Sequence, residues 1–242
     1  MESQMRQIGT ALVLLAALGG CTISTVPQPQ TQPKAPAAQP AAQASRAPSG
    51  PANFKAVASR VEPVAEKICR QNGVANCDFL ILLDNRPGVA PNAYQTLDDY
   101  GRPILIVTGP LLSEMQNADE LAFVLGHEAA HHIAGHIPKT QQSAVLGAVL
   151  LGTVAGLGGG NAAAVEAAQN IGASVGSRTF SKSFELEADS LGTVIAWDAG
   201  YDPVRGADFF ARIPDPGDQF LGSHPPNADR QKVVRATAAK LG

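Results

Sequence analysis

Hydrophobic positions fall along this chain in three regimes. From Ile8 to Leu18 they form a nearly unbroken apolar run of 11 residues. From Thr22 to Pro51 bulky apolar residues almost vanish, and from Asn53 onward they recur at the spacing of folded elements. Eleven apolar residues are too few to cross a hydrocarbon core, which needs about 20 in helix. Within the third regime, Ala56 to Arg70 alternates apolar and charged residues at helical spacing, interrupted only by Pro63. Asp78–Asp84 is a short apolar run bounded by turn residues, and Ile104–Thr108 is a β-branched run after Gly101-Arg102-Pro103; both predict strands, with a further one over Asn92–Gln95. Gly109-Pro110 opens a short helix through Met115. Asn117 followed by Glu120 then forms a capping box for a helix running to about His136. Ala144–Leu157 and Ala162–Val175 predict two helices joined by Gly158-Gly159-Gly160, and Ala228–Leu241 predicts a closing helix. The 14 residues of Ala144–Leu157 suit a buried or interfacial helix better than a membrane-spanning one. Strands give way to helices, so the expected class is α+β with a small sheet.

The first regime changes meaning once its flanks are read. Arg6 precedes the apolar run, and Leu18-Gly19-Gly20-Cys21 places small residues directly before a cysteine. This is the layout of an export signal, and the Leu-Gly-Gly-Cys arrangement resembles a bacterial lipobox in which Cys21 is lipidated. By resemblance to enterobacterial sorting, Thr22 rather than Asp after the cysteine favours the outer membrane over the inner one. The second regime holds seven prolines among Gln, Ala, Ser and Thr, with Lys34 and Arg46 as its only charges. It cannot offset its ordering entropy by burial. Such a tether reaches roughly 90 Å when extended at about 3.1 Å per residue. The expected organisation is a signal peptide over 1–20, a Pro/Gln/Ala tether over 21–52, and one folded domain over 53–242. Export places Cys69 and Cys77 in an oxidising compartment, where a disulfide between them is expected. A formal net charge of −3 gives no basic surface, so no nucleic-acid partner is expected.

Candidate chemistry concentrates in His127-Glu128-Ala129-Ala130-His131. Histidines at i and i+4 leave one helix face a turn apart, so both rings reach a single metal ion. Glu128 stands where a general base for an attacking water is needed. Leu121, Val124, Leu125 and Ile133 mark the helix as largely buried, where histidines and a glutamate are costly without a purpose. His132 points about 100° away from His131 and is expected to be structural, and His136 to pack or cap the helix end. A third ligand is required. Ala134 and Ile137 stand where a metzincin would need Gly and His, and no acidic residue lies about 20 positions downstream. Glu185 and Asp189 share a helix face, with Glu187 nearly opposite. One of the pair can bind metal while the other accepts the free ring N–H of a histidine ligand.

His127, His131 and His136, followed by Glu185, Ala188, Asp189 and Gly192, resemble the HtpX and CAAX-prenyl-protease type of zinc peptidase. Gly200-Tyr201-Asp202-Pro203, Phe209-Phe210 and Ser223-His224-Pro225-Pro226 with Arg230 continue the likeness. With the lipobox, the chain is most similar to the periplasmic lipoprotein branch, the LoiP-like and BepA-like peptidases. The resemblance implies a mainly helical, gluzincin-type domain with a small sheet beside the histidine helix. It implies one zinc per chain held by His127, His131 and Glu185, Glu128 as catalytic base, and Asp189 behind the ligands. It also implies His224 near the metal, either steadying an oxyanion or closing the site in a latent form. Lys182 stands where the family has arginine. The activity so implied is endopeptidase cleavage of unfolded or misassembled envelope proteins at the periplasmic face of the outer membrane. A chaperone or assembly factor for outer-membrane proteins with a silent zinc site is the alternative.

Overall fold

A computed structural model describes residues 52–179, 181–214 and 225–242, with the backbone alone for 177–179 and 181. The signal segment, Cys21, most of the tether and His224 lie outside the described residues.

Helix α1 (Phe54–Gln71) starts where the Asn53 side chain accepts the Ala56 N–H. It buries Val57, Val61, Ala65 and Ile68 at helical spacing. Pro63 sits inside it on the exposed face, where water can satisfy the carbonyl that loses its partner. Cys69, at its end, is bonded to Cys77 in the expected disulfide. Closing so short a loop contributes about 2–3 kcal/mol by restricting the unfolded chain.

Strands β1 (Leu80–Asp84), β2 (Ala93–Leu97) and β3 (Pro103–Thr108) form a three-stranded sheet in the order β1-β3-β2. β3 is parallel to β1 and antiparallel to β2. Thr108, at the end of β3, also caps α2 (Gly109–Glu114) by accepting the Leu111 N–H.

Helix α3 (Ala118–Ile133) is the centre of the domain, and twelve of its sixteen residues are buried. The Asn117 side chain accepts the Asp119 and Glu120 N–H groups, while Glu120 accepts from the Gln116 N–H and the Asn117 amide. Two buried carboxylates at this N-terminus are favoured by the helix dipole and by arginines from later in the chain. Arg205 meets Asp119 at 3.1 Å, and Arg212 takes both oxygens of Glu120 at 2.9 and 2.7 Å.

The predicted continuation of α3 to His136 is corrected by Gly135. Its φ of 65° breaks the helix after Ile133, and α4 (His136–Leu157) leaves in a new direction. Helices α4 and α5 (Ala162–Thr179) form the expected hairpin, but α4 is longer than the 14-residue apolar run and is not buried in the core. Its 22 residues are long and apolar enough to cross a membrane. Gly147 and Gly172 meet backbone to backbone, leaving no room for a Cβ on either.

Helix α6 (Ser181–Asp198) packs across α3. A Cβ on Gly126 would lie 2.8 Å from the Gly192 carbonyl, and one on Gly192 would lie 2.8 Å from the His127 nitrogen. Glycine on both sides therefore lets the two helices touch beside His127. A short α7 (Pro203–Gly206), a 3₁₀ turn (Ala207–Ala211) and α8 (Asn227–Ala238) close the domain, burying Phe209, Phe210 and Val234 in the same core. The α+β expectation with a small sheet holds.

Candidate metal centre

The approach of α3 to α6 sets the distances between the predicted ligands. His127 Nε2 lies 3.0 Å from His131 Nε2, and the two oxygens of Glu185 lie 3.5 and 3.4 Å from these nitrogens. Three ligand atoms on a tetrahedral zinc, with bonds of about 2.0–2.1 Å, stand about 3.3 Å apart. One donor atom from each of the three residues lies within 4.8 Å of the others, close enough for a single ion to gather all three. Two neutral imidazoles and a carboxylate also form a donor set that zinc accepts, with room for a fourth ligand.

Behind the triangle, Asp189 is fully buried and receives His127 Nδ1 at 2.9 Å. Arg230, from α8, grips the same carboxylate through Nε at 2.8 Å and Nη2 at 2.7 Å. The guanidinium lies 3.8 Å from the centre of the Phe210 ring, and its Nη2 is 3.7 Å from Glu185. Nη2 is almost equidistant from both His127 ring nitrogens, at 3.3 and 3.4 Å, so it lies against the imidazole face and makes no directed bond there. Burial alone would raise the Asp189 pKa. Hydrogen bonds from Arg230 and His127 outweigh it and hold the carboxyl below the usual range.

Burial pulls His127 down, but the Asp189 and Glu185 carboxylates outweigh that and raise it to about 9. His131 falls to about 3 through burial and the neighbouring His127 charge. Glu128 is pushed up by burial, while the backbone N–H of Gln95 is directed at its carboxylate.

Two residues gain partners here that helical spacing alone did not show. His136 packs as expected, buried against Phe184, but as the first residue of α4 and not as a cap, and its Nδ1 lies 2.9 Å from Nδ1 of His131. Glu187 meets His136 Nε2 at 3.2 Å. The bend at Gly135 brings His136 to the face of α6 that carries Glu187. His132 is structural as expected, bonding the Asn76 carbonyl at 2.6 Å and standing edge-on to Phe79. In the sequence Arg230 stands out only through the family likeness. No local signal ties it to Asp189, 41 residues away.

Two clefts meet at the triangle. One, of ≈ 350 Å³, is lined by Leu111, Val124, Phe210, Ile213 and Arg230 together with His127 and Glu185. The other runs along β2, past Tyr94 and Gln95, to Glu128 and His131.

Residues 51–238 match the profile of Peptidase family M48. The chain is also similar to the mitochondrial metalloendopeptidase OMA1 of Arabidopsis thaliana, with 30% identity over 139 residues. That alignment covers 54% of this chain and 27% of the plant protein, so the chain spans about a quarter of the length of the curated relative it matches.

Proposed function

The chain belongs to peptidase family M48, and from that premise we propose that it is a lipid-anchored zinc endopeptidase acting on unfolded or misassembled envelope proteins. The observation that carries the reading is the Glu128 carboxylate beside the His127–His131–Glu185 triangle and near β2, whose outer edge no other described strand pairs. His127, His131 and Glu185 would hold the zinc. Zinc supplies Lewis acidity, drawing electron density from a carbonyl oxygen and acidifying water. Glu128, made more basic by burial, takes the proton of the attacking water and passes it to the departing amide nitrogen. Asp189 fixes His127 in the tautomer that offers Nε2 to the ion.

Substrate adds to the outer edge of β2. The Thr108 N–H reaches the Asn92 carbonyl, so Asn92, Tyr94 and Thr96 turn their backbone groups toward β3. Ala93 and Gln95 turn theirs outward, and the Gln95 N–H is the one that meets Glu128. An extended peptide pairing with this edge passes over the triangle, and reading by backbone suits unfolded chains of many sequences. The apolar cleft around Val124 and Phe210 takes a side chain beside the scissile bond. Ala93→Pro is expected to lower kcat/KM on unfolded casein by about fivefold with zinc content unchanged, since an edge bond to substrate is worth roughly 1 kcal/mol. Unchanged kinetics in the folded variant would remove strand addition.

The direct test is metal removal from the full mature protein. Casein cleavage is expected to stop with a chelator and return with one equivalent of zinc per chain. His224→Ala is expected to lower activity if that residue steadies the oxyanion and to raise it if it closes a latent site. Zinc uptake without cleavage by either form would instead identify a folding or assembly factor for outer-membrane proteins.

The anchor rests on the Leu18–Cys21 sequence, the family match beginning at residue 51, and a disulfide that suits an exported protein. Acyl chains on Cys21 hold the domain at the periplasmic face of the outer membrane through the 21–52 tether. Cys21→Ser is expected to shift the protein from the membrane fraction to the soluble fraction and abolish incorporation of labelled fatty acid. Retention at the membrane would point to another attachment.

A further inference from the structure

Three acidic residues of α6 address three histidines at the α3–α4 bend. Glu185 faces the two Nε2 atoms of the triangle, Asp189 takes His127 Nδ1, and Glu187 takes His136 Nε2 at 3.2 Å. His136 in turn places Nδ1 2.9 Å from His131 Nδ1. From this arrangement we infer that His136 and Glu187 are positioning residues for the metal, acting together on His131 as Asp189 acts directly on His127. The inference rests on the His127–His131–Glu185 triangle being the zinc site.

Proton placement dictates the chain of contacts. A histidine that gives Nε2 to a cation carries its hydrogen on Nδ1. The His131 Nδ1–H must therefore donate, and the atom facing it is Nδ1 of His136. That nitrogen accepts only if the His136 hydrogen is on Nε2, where Glu187 receives it. Each contact thus determines the next, and the sequence ends on a carboxylate, the one partner that can only accept when ionised. His136 is held for this purpose. It is 3% exposed, and its ring stacks on Phe184 at 4.4 Å with an interplanar angle of 11°. Gly135, at φ 65°, supplies the reversal that returns position 136 to position 131. Glu187 is half exposed, so burial does not require it to be paired. Its place against His136 is the feature that packing alone leaves unexplained.

The experiment measures zinc affinity by chelator competition, and the visible spectrum of the cobalt-substituted protein, for full mature chains. His136→Phe keeps a ring against Phe184 and removes both nitrogens. It is expected to weaken zinc binding by about 10–100-fold and to shift the cobalt bands, because the His131 ring loses the contact that orients it. Glu187→Leu is expected to weaken binding about tenfold. Glu187→Gln, whose amide oxygen still accepts, should remain within about threefold of the parent. Adding Glu187→Leu to His136→Phe should cost nothing further, since the two act in series. Parent-like affinity in Glu187→Leu, or additive losses in the double variant, would overturn the inference while leaving the zinc site intact. Failure of the parent to bind zinc would instead overturn the site on which it rests.

Discussion

Glu128→Gln is expected to lower kcat/KM on unfolded casein by about 10²–10⁴-fold while the protein still binds one zinc and unfolds at the parent temperature. The amide is isosteric and can still accept the Gln95 N–H, so local structure has little reason to move. It cannot take a proton from water at neutral pH, and that is the capacity removed. Glu128 is not part of the ligand triangle, so metal content separates loss of the base from loss of the site. A fall in kcat with little change in KM is expected, because the lost interaction is made only as the water attacks. A variant that cleaves within a few-fold of the parent would show that another group carries the proton.

Arg230→Met should be the most damaging single change to stability near the site. Arg230 is 7% exposed and its partner Asp189 has no exposure at all. Removing the guanidinium leaves a buried carboxylate with only His127 as a charged contact, and breaking such a pair costs about 3–5 kcal/mol. For a domain of this size that lowers Tm by roughly 10 °C. The measurement is thermal unfolding of the metal-free protein, so that changed zinc affinity does not enter. Arg230→Lys restores charge without the two-pronged grip and should recover part of the loss. A Tm within 2 °C of the parent in Arg230→Met would mean that Asp189 is held by His127 and local backbone alone.

These variants divide along the same line as the information in the sequence. Glu128 was legible because helix periodicity fixes what stands beside His127 and His131. The disulfide was legible because Cys69 and Cys77 are near in sequence and the export expected from the N-terminal segment restricts their chemistry. The capping box at Asn117 and Glu120 was legible for the same local reason, although the reach of Arg212 to Glu120 was not. Residues three or four apart on one helix meet whatever the rest of the chain does.

Glu187 shows where that reasoning stops. Helical spacing placed it opposite Glu185, and this is correct for α6 considered alone. Its contact with His136 depends on Gly135 bending the chain between α3 and α4, which the apolar pattern continued as one helix. The hairpin was likewise visible as two small-residue helices, but not the extent of α4 or the exposure of its apolar side chains. By itself the sequence determined the helix that carries the candidate ligands and candidate base, the acidic helix that answers it and the α+β class, because each follows from short-range periodicity and residue chemistry. Only the tertiary structure decided that Gly126 and Gly192 bring those helices into contact, that Arg230 closes on Asp189, and that Glu187 reaches His136. Those contacts depend on how far apart helix axes lie and where the chain bends, and neither quantity is encoded within one turn of helix.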